Sequence, residues 1–170
     1  MNNPIIKNII RAVIFILIQV LVLRRIGIGG ASFNYISLLL YPIILVLLPM
    51  NTSRNILILS GFVLGIIIDF FYDSPGVHAA TCTAIGFIRP YLLNILTPRG
   101  GYNVGYQLVP ARYGYNWFLK YAGGLVFLHL LIYFSLLLFS PVYVVQILLR
   151  TISSFLFSML FILIYVQFSK

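Results

Sequence analysis

Six apolar stretches, separated by short polar connectors, decide what this chain can fold into. Of its 170 residues, 62% are hydrophobic and only 8% are charged, whereas about a quarter of the residues in a soluble domain carry charge. Crossing a bilayer as a helix takes about 17–25 predominantly apolar residues. We therefore expect an all-α integral membrane protein, a compact bundle of six transmembrane helices forming one domain. The predicted spans are residues 9–23, 33–49, 55–72, 77–96, 117–139 and 142–168.

The basic residues predict how the chain is oriented. Eleven Lys and Arg against two acidic residues give a net charge of +9. They are scattered among apolar spans, which indicates contacts with anionic lipid headgroups and topology signals rather than a nucleic-acid partner. Six spans put both termini and the polar loop 98–116 on one side, and the positive-inside rule makes that side cytoplasmic. The cations on it are Lys7, Arg11, Arg54, Arg99, Arg112, Lys120 and Lys170.

Few residues could carry catalysis or hold a metal. The single cysteine, Cys82, excludes an internal disulfide and a cysteine-based metal cluster. His78 and His129 lie at different predicted depths and lack a third metal ligand, so we expect each to bond a neighbouring helix. Paired carboxylates for general acid–base chemistry are missing. We expect no enzymatic activity, no cofactor and no metal.

The stretch 61–78 is the most distinctive part of the sequence, because it contains both acidic residues. Gly61, Gly65, Asp69 and Asp73 recur every four residues and form one drifting stripe on a helix face. Glycines at this spacing let a second helix approach closely. We expect a partner's helix to bind this face, and a bulky residue at Gly61 or Gly65 to abolish that binding while the protein still inserts. The turn that follows and the start of the next span are formed by Ser74, Pro75, Gly76 and His78.

Asp69 is the residue whose position most needs an explanation. A carboxylate inside a bilayer costs about 2.5–3.5 kcal/mol on insertion scales, so it requires a partner. Arg150 and His78 are the two candidates, and Arg89 is a poorer one. If Arg150 is the partner, Asp69→Asn and Arg150→Gln should be energetically coupled. A structural or partner-binding role is favoured, with proton or ion coupling as the alternative.

A Gly-x-x-x-Gly-x-x-x-Asp span closed by a Ser-Pro-Gly turn and a histidine resembles the rod shape-determining membrane protein MreD family. The motif lies within residues 61–86, and the span number and chain length are also similar to those of the family. The matching residues are Gly61, Gly65, Asp69, Ser74, Pro75, Gly76, His78 and Gly86.

This resemblance implies a non-catalytic role in the inner-membrane complex that directs lateral peptidoglycan synthesis in elongating bacteria. MreD-like proteins bind MreC, a single-span protein with an extracytoplasmic coiled coil. Through it they connect to the MreB filament, the RodA glycosyltransferase and a class B penicillin-binding transpeptidase. The resemblance also implies a fold similar to the substrate-binding subunit of energy-coupling-factor transporters, and it is compatible with a homodimer.

Two functions remain open from the sequence. The first is a membrane scaffold that binds an MreC-like partner. The second is a vitamin-binding subunit of an energy-coupling-factor transporter. Such subunits present an Ala-x-x-x-Ala face in their first span, whereas residues 9–23 contain one alanine, Ala12, which favours the scaffold.

Overall fold

The computed structural model describes residues 4–25, 27–28, 36–98, 100–102 and 108–168. Within them the chain is all-α apart from two strands of two residues each. Two of the cations predicted to lie on the cytoplasmic side, Arg99 and Lys170, lie outside the described residues. The α-helices are α1 (Pro4–Leu17), α2 (Ile43–Val46), α3 (Arg54–Tyr72), α4 (Val77–Ile95), α5 (Pro110–Tyr113), α6 (Tyr115–Leu138) and α7 (Val144–Phe168).

Short irregular elements connect these helices. The first helix continues as a π-helical turn, Ile18–Val22, and a 3-10 turn, Leu23–Arg25. Strand β1 (Gly27–Ile28) pairs antiparallel with β2 (Ile36–Ser37). A second 3-10 turn, Pro141–Tyr143, leads into α7.

Among the described residues, three helical segments are long and apolar enough to cross a membrane: α3, α6 and the stretch Pro141–Phe168 that contains α7. This finding indicates a multi-pass membrane protein. The outward faces agree with it, since Phe70 of α3 is 80% exposed and Leu156 of α7 is 62% exposed. Large apolar side chains lining a helix in this way are costly in water but are solvated by lipid tails. The first helix is shorter, with an apolar stretch of Asn8–Val22.

Four of the predicted spans match helices of the structure, with ends that differ by at most two residues. These helices are α3, α4, α6 and α7. The stretch 33–49 differs, because its described part is helical only at Ile43–Val46. Pro42 precedes this short helix and Pro49 follows it, and proline removes a backbone donor and ends helices. The predicted second span is therefore not a continuous helix.

Side chains from other helices bind the backbone of this irregular segment. From α7, Ser154 Oγ accepts a hydrogen bond from the N–H of Ser37 at 3.0 Å. Gln19 of the π-helical turn accepts one from the N–H of Leu40 at 2.8 Å and donates one to the carbonyl of Leu38 at 3.0 Å. Non-helical backbone at membrane depth is tolerated where protein satisfies it, and these three bonds do so.

Two contacts define the ends of the bundle. The rings of Phe15 in α1 and Tyr165 in α7 meet edge to face, with centroids 4.7 Å apart. The end of α7 therefore packs against the first helix, eleven residues after that helix begins. We call the end of the bundle at which α1 begins and α7 ends the terminal end. At the opposite end Arg24 pairs with Asp73, directly after α3, at 2.7 Å. We call this the hairpin end, because residues 73–76 connect α3 to α4 there.

Candidate functional site

The helical hairpin of α3 and α4 contains nearly all the residues that the sequence singled out. Its two backbones touch along the glycine stripe. A Cβ atom at Gly61 would lie 2.5 Å from the carbonyl oxygen of Cys82, and one at Gly65 would overlap the backbone of Ala79. A Cβ atom at Gly86 of α4 would likewise meet the backbone of α3. The glycines are thus required for the hairpin itself.

This packing corrects the expectation that a partner's helix binds the glycine face. The face is already covered by α4, so Gly61 and Gly65 cannot contact another chain in this structure. Buried Leu64 and Ile68 lie on the same side of α3. The outward side of α3, which includes Phe62 and Phe70, is exposed instead.

The carboxylate of Asp69 caps the start of α4 and is 8% exposed. Its Oδ1 accepts hydrogen bonds from the backbone N–H of His78 at 2.9 Å and from Ser74 Oγ at 3.0 Å. Its Oδ2 accepts one from the N–H of Ala79 at 2.9 Å. The first N–H groups of a helix lack intrahelical partners, and negative charge is favourable there. Asp69 therefore joins the end of α3 to the start of α4.

Asp69 thus binds one of its two candidate partners, His78, and also Ala79, and both supply a main-chain N–H group. His78 is involved through its backbone N–H and not through its imidazole. Arg150 makes no ion pair with Asp69, and its half-buried guanidinium has its Nε unbonded to any described residue. The sequence showed that Asp69 needed a partner, but a main-chain donor carries no residue-type signal.

The turn between α3 and α4 requires unusual backbone conformations. Asp73 ends α3 in the left-handed region, with φ of 52°, and its N–H bonds the carbonyl of Asp69. Gly76 is also left-handed, with φ of 86°, a conformation that glycine adopts without steric cost. The Asp73 side chain is 82% exposed and pairs with Arg24. An exposed ion pair of this kind contributes about 0–1 kcal/mol, so this carboxylate is accessible at the hairpin end.

A buried polar cluster joins α4 to α6 through Tyr41, which lies just before α2. The Tyr41 hydroxyl lies 2.7 Å from His78 Nδ1 and 2.8 Å from His129 Nε2. Because a hydroxyl has one proton, it donates to one imidazole and accepts from the other. The sequence placed the two histidines at different depths, whereas the structure brings both to one hydroxyl group. Over the part of the chain that is described, no His, Cys, Asp or Glu group could hold a metal.

Arg89 is a second buried polar centre, and sequence reasoning gave it too little weight. Its guanidinium is fully buried in α4. It donates to the Tyr121 hydroxyl at 2.8 Å and to the backbone carbonyls of Leu48 and Pro49, beyond the end of α2. Tyr121 in turn donates to the carbonyl of Val46 at 2.9 Å. The sequence did contain a signal for this role. An arginine inside an apolar span must find acceptors, and a segment broken by proline leaves backbone carbonyls free to accept.

One aromatic residue of the loop 98–116 and one of α6 bind the other end of α4. Tyr102 donates to the carbonyl of Leu93 at 2.8 Å, and Trp117 Nε1 donates to that of Leu96 at 2.8 Å. Burial raises the pKa of the Tyr102 phenol, so its hydroxyl stays protonated and can donate. Trp117 also stacks on Tyr121, with ring centroids 5.0 Å apart. Hydrogen bonds thus fix α4 at both ends, from Asp69 at its start and from Tyr102 and Trp117 at its end.

The arrangement positions backbone segments and holds helices together. Asp69, Arg89 and Gln19 all bind main-chain groups that a broken or newly started helix leaves unpaired. Such contacts give a rigid bundle with a fixed turn at one end. No protein-family model, no curated protein and no solved structure matches this chain. What the protein does is therefore inferred from its own residues.

Proposed function

We propose that this chain is a non-catalytic scaffold of the bacterial cell-elongation complex, an MreD-like protein of the inner membrane that binds an MreC-like single-span partner. One observation carries the proposal: the residues of the MreD-like motif form one physical unit. Two glycines let α3 and α4 touch, one acid caps α4, and one turn connects them. A motif whose glycines, acid and turn build a hairpin fits a scaffold.

The hairpin end is the surface that we assign to the partner. The turn residues Asp73, Pro75 and Gly76 are exposed there, and Asp73 presents the more accessible of the chain's two carboxylates. An MreC-like partner has its folded part outside the cytoplasm, so it would meet an outward-facing turn. Charged groups at the rim of an interface set specificity and orientation more than affinity. Asp73 would therefore select the partner.

The orientation in the membrane is part of this proposal. We assign six crossings, with residues 36–50 as an irregular second crossing, both termini in the cytoplasm and the hairpin end outside. In support, the terminal end carries Arg11, Arg54 at the start of α3, and Lys120 near the start of α6. A majority of positive charge marks the cytoplasmic side.

The test is affinity purification of a tagged chain from native membranes in mild detergent, with the co-purifying proteins identified by mass spectrometry. We expect a single-span protein with an extracytoplasmic coiled coil, together with an MreB-like filament protein, a RodA-like glycosyltransferase and a class B penicillin-binding transpeptidase. Recovery of two ATP-binding-cassette ATPases with a coupling subunit would instead identify a vitamin transporter of the energy-coupling-factor type.

Matched variants separate a partner contact from the internal ion pair. Asp73→Asn and Arg24→Gln both break the pair of these two residues, and asparagine tolerates the left-handed backbone at position 73. We expect Asp73→Asn to reduce recovery of the single-span partner several-fold and Arg24→Gln to leave it unchanged. Equal recovery with both variants would remove Asp73 from the interface.

A further inference from the structure

A groove of about 600 Å³ runs along the outside of the bundle between α1 and α7. Its walls are apolar, and Ile14, Ile18 and Val22 contribute from the first helix while Phe161 and Tyr165 contribute from α7. Arg11 lies at its terminal end. The groove is thus an apolar channel with one cationic group at one end.

Arg11 is a buried cation without an anionic partner among the described residues. Its residue is only 7% exposed, and its one side-chain hydrogen bond within that part of the chain is a long one of 3.5 Å to Asn8 Oδ1. The whole sequence contains two acidic side chains, and both are engaged elsewhere. Asp69 binds the start of α4, and Asp73 pairs with Arg24 at the opposite end. A buried guanidinium is strongly stabilised by a paired anion, so this one calls for an anion from outside the chain.

The length of the groove indicates what kind of molecule supplies that anion. From Arg11 to Val22 the helix rises eleven residues, which is about 16 Å at 1.5 Å per residue. Half of a bilayer's hydrocarbon core is about 15 Å thick. The groove is therefore about as long as the acyl chain of a single leaflet, and Arg11 lies at the end of it nearer the start of α1.

We propose that this groove binds one anionic phospholipid from the leaflet at the terminal end of the bundle. The Arg11 guanidinium holds the phosphate, for which its planar donor fork is suited. One acyl chain lies between α1 and α7, against the side chains of Ile14, Ile18 and Phe161. The site covers the seam between the first and last helices, and it does not depend on the scaffold function.

Native mass spectrometry of the full chain in detergent, titrated with phosphatidylglycerol, tests the site. We expect a first phosphatidylglycerol to bind more tightly than any later one, and more tightly than phosphatidylcholine. Arg11→Gln should weaken this first binding about tenfold, the equivalent of one charge-assisted hydrogen bond. Arg54→Gln is the matched control, since Arg54 is an exposed cation at the same end. Equal loss in both variants, or no loss in Arg11→Gln, would overturn the proposal.

A second pair of variants tests the acyl-chain part without touching the charge. Ile18→Trp places an indole in the groove, whereas Val13→Trp places one on α1 outside it. We expect only Ile18→Trp to weaken phosphatidylglycerol binding, and this result decides the matter if Arg11→Gln fails to fold. Inorganic phosphate at the same concentration should not displace the lipid. Displacement by phosphate would mean a simple anion site, and equal binding by both tryptophan variants would remove the groove from the site.

Discussion

The carboxylate of Asp69 explains why this sequence places an acid inside an apolar span. Three hydrogen bonds reach it, two of them from main-chain N–H groups that begin α4. The cost of burying the charge is offset by donors that a helix start leaves unpaired. Sequence reasoning predicted that Asp69 needs a partner, because burying a charge is costly for any residue in any fold. It named Arg150 and His78 as candidates, and Asp69 binds His78 through the main chain, a kind of donor that does not appear as a residue type.

Asp69→Asn should destabilise the protein by about 2 kcal/mol. The amide has only one oxygen to accept hydrogen bonds, its NH2 group cannot accept one from a backbone N–H, and the negative charge that strengthens these bonds is lost. The loss in free energy of unfolding is measured by thermal or denaturant-induced unfolding of the purified protein in detergent. Asp73→Asn is the control, and its expected effect is below about 1 kcal/mol because the pair it breaks is exposed.

The same measurement tests the original candidate partner of Asp69. Asp69→Asn combined with Arg150→Gln should be additive to within about 0.5 kcal/mol, as expected for residues that share no bond. A coupling energy well above that value would show that Arg150 interacts with Asp69 after all.

At the scale of helices, regular elements followed from the sequence and the broken one did not. Apolar length and the Ser-Pro-Gly turn predicted the positions of α3 and α4 to within one residue. The segment 36–50 has the same apolar composition, yet only Ile43–Val46 is helical. Its course depends on Gln19, Ser154 and Arg89, which bind its backbone from other helices. Such long-range caps have no local pattern in the sequence.

Gly65→Ala should weaken the hairpin of α3 and α4, because the added methyl group has no space against the backbone of Ala79. Overpacking of this kind costs about 1–3 kcal/mol, more than the gain of about 1 kcal/mol in helix propensity. Detergent unfolding of the purified variant gives the difference.

Gly123→Ala in α6 is the matched control for this effect. Its new Cβ would meet only the Phe155 ring, at an ordinary 3.7 Å, so we expect no loss of stability or a small gain. If Gly65→Ala were as stable as Gly123→Ala, close backbone contact would not be what holds the hairpin together.

For the molecule as a whole, buried polar groups fix how the helices pack. Tyr41 connects His78 of α4 to His129 of α6, and Arg89 holds the segment after α2 to Tyr121 of α6. Without water to replace them, the hydrogen bonds that these groups make favour this packing, while His78 Nε2, Arg89 Nη1 and His129 Nδ1 have no partner among the described residues. The sequence predicted the class of bundle from its apolar length, but it could not predict which polar residues meet across it.

The last prediction concerns the orientation of this bundle in the membrane. The native thiol, Cys82, is fully buried, so a membrane-impermeant maleimide should leave the folded protein unlabelled. Single new cysteines at two exposed positions then show on which side of the membrane each position lies. Pro75→Cys lies in the turn at the hairpin end, and Ala111→Cys lies in α5, close to the start of α6. We expect Pro75→Cys to react in intact spheroplasts and Ala111→Cys to react only after the membrane is opened.

The reverse labelling pattern would mean that the bundle has the opposite orientation in the membrane. Labelling of both from one side would require an even number of crossings between the two positions, and α4 would then not cross the membrane.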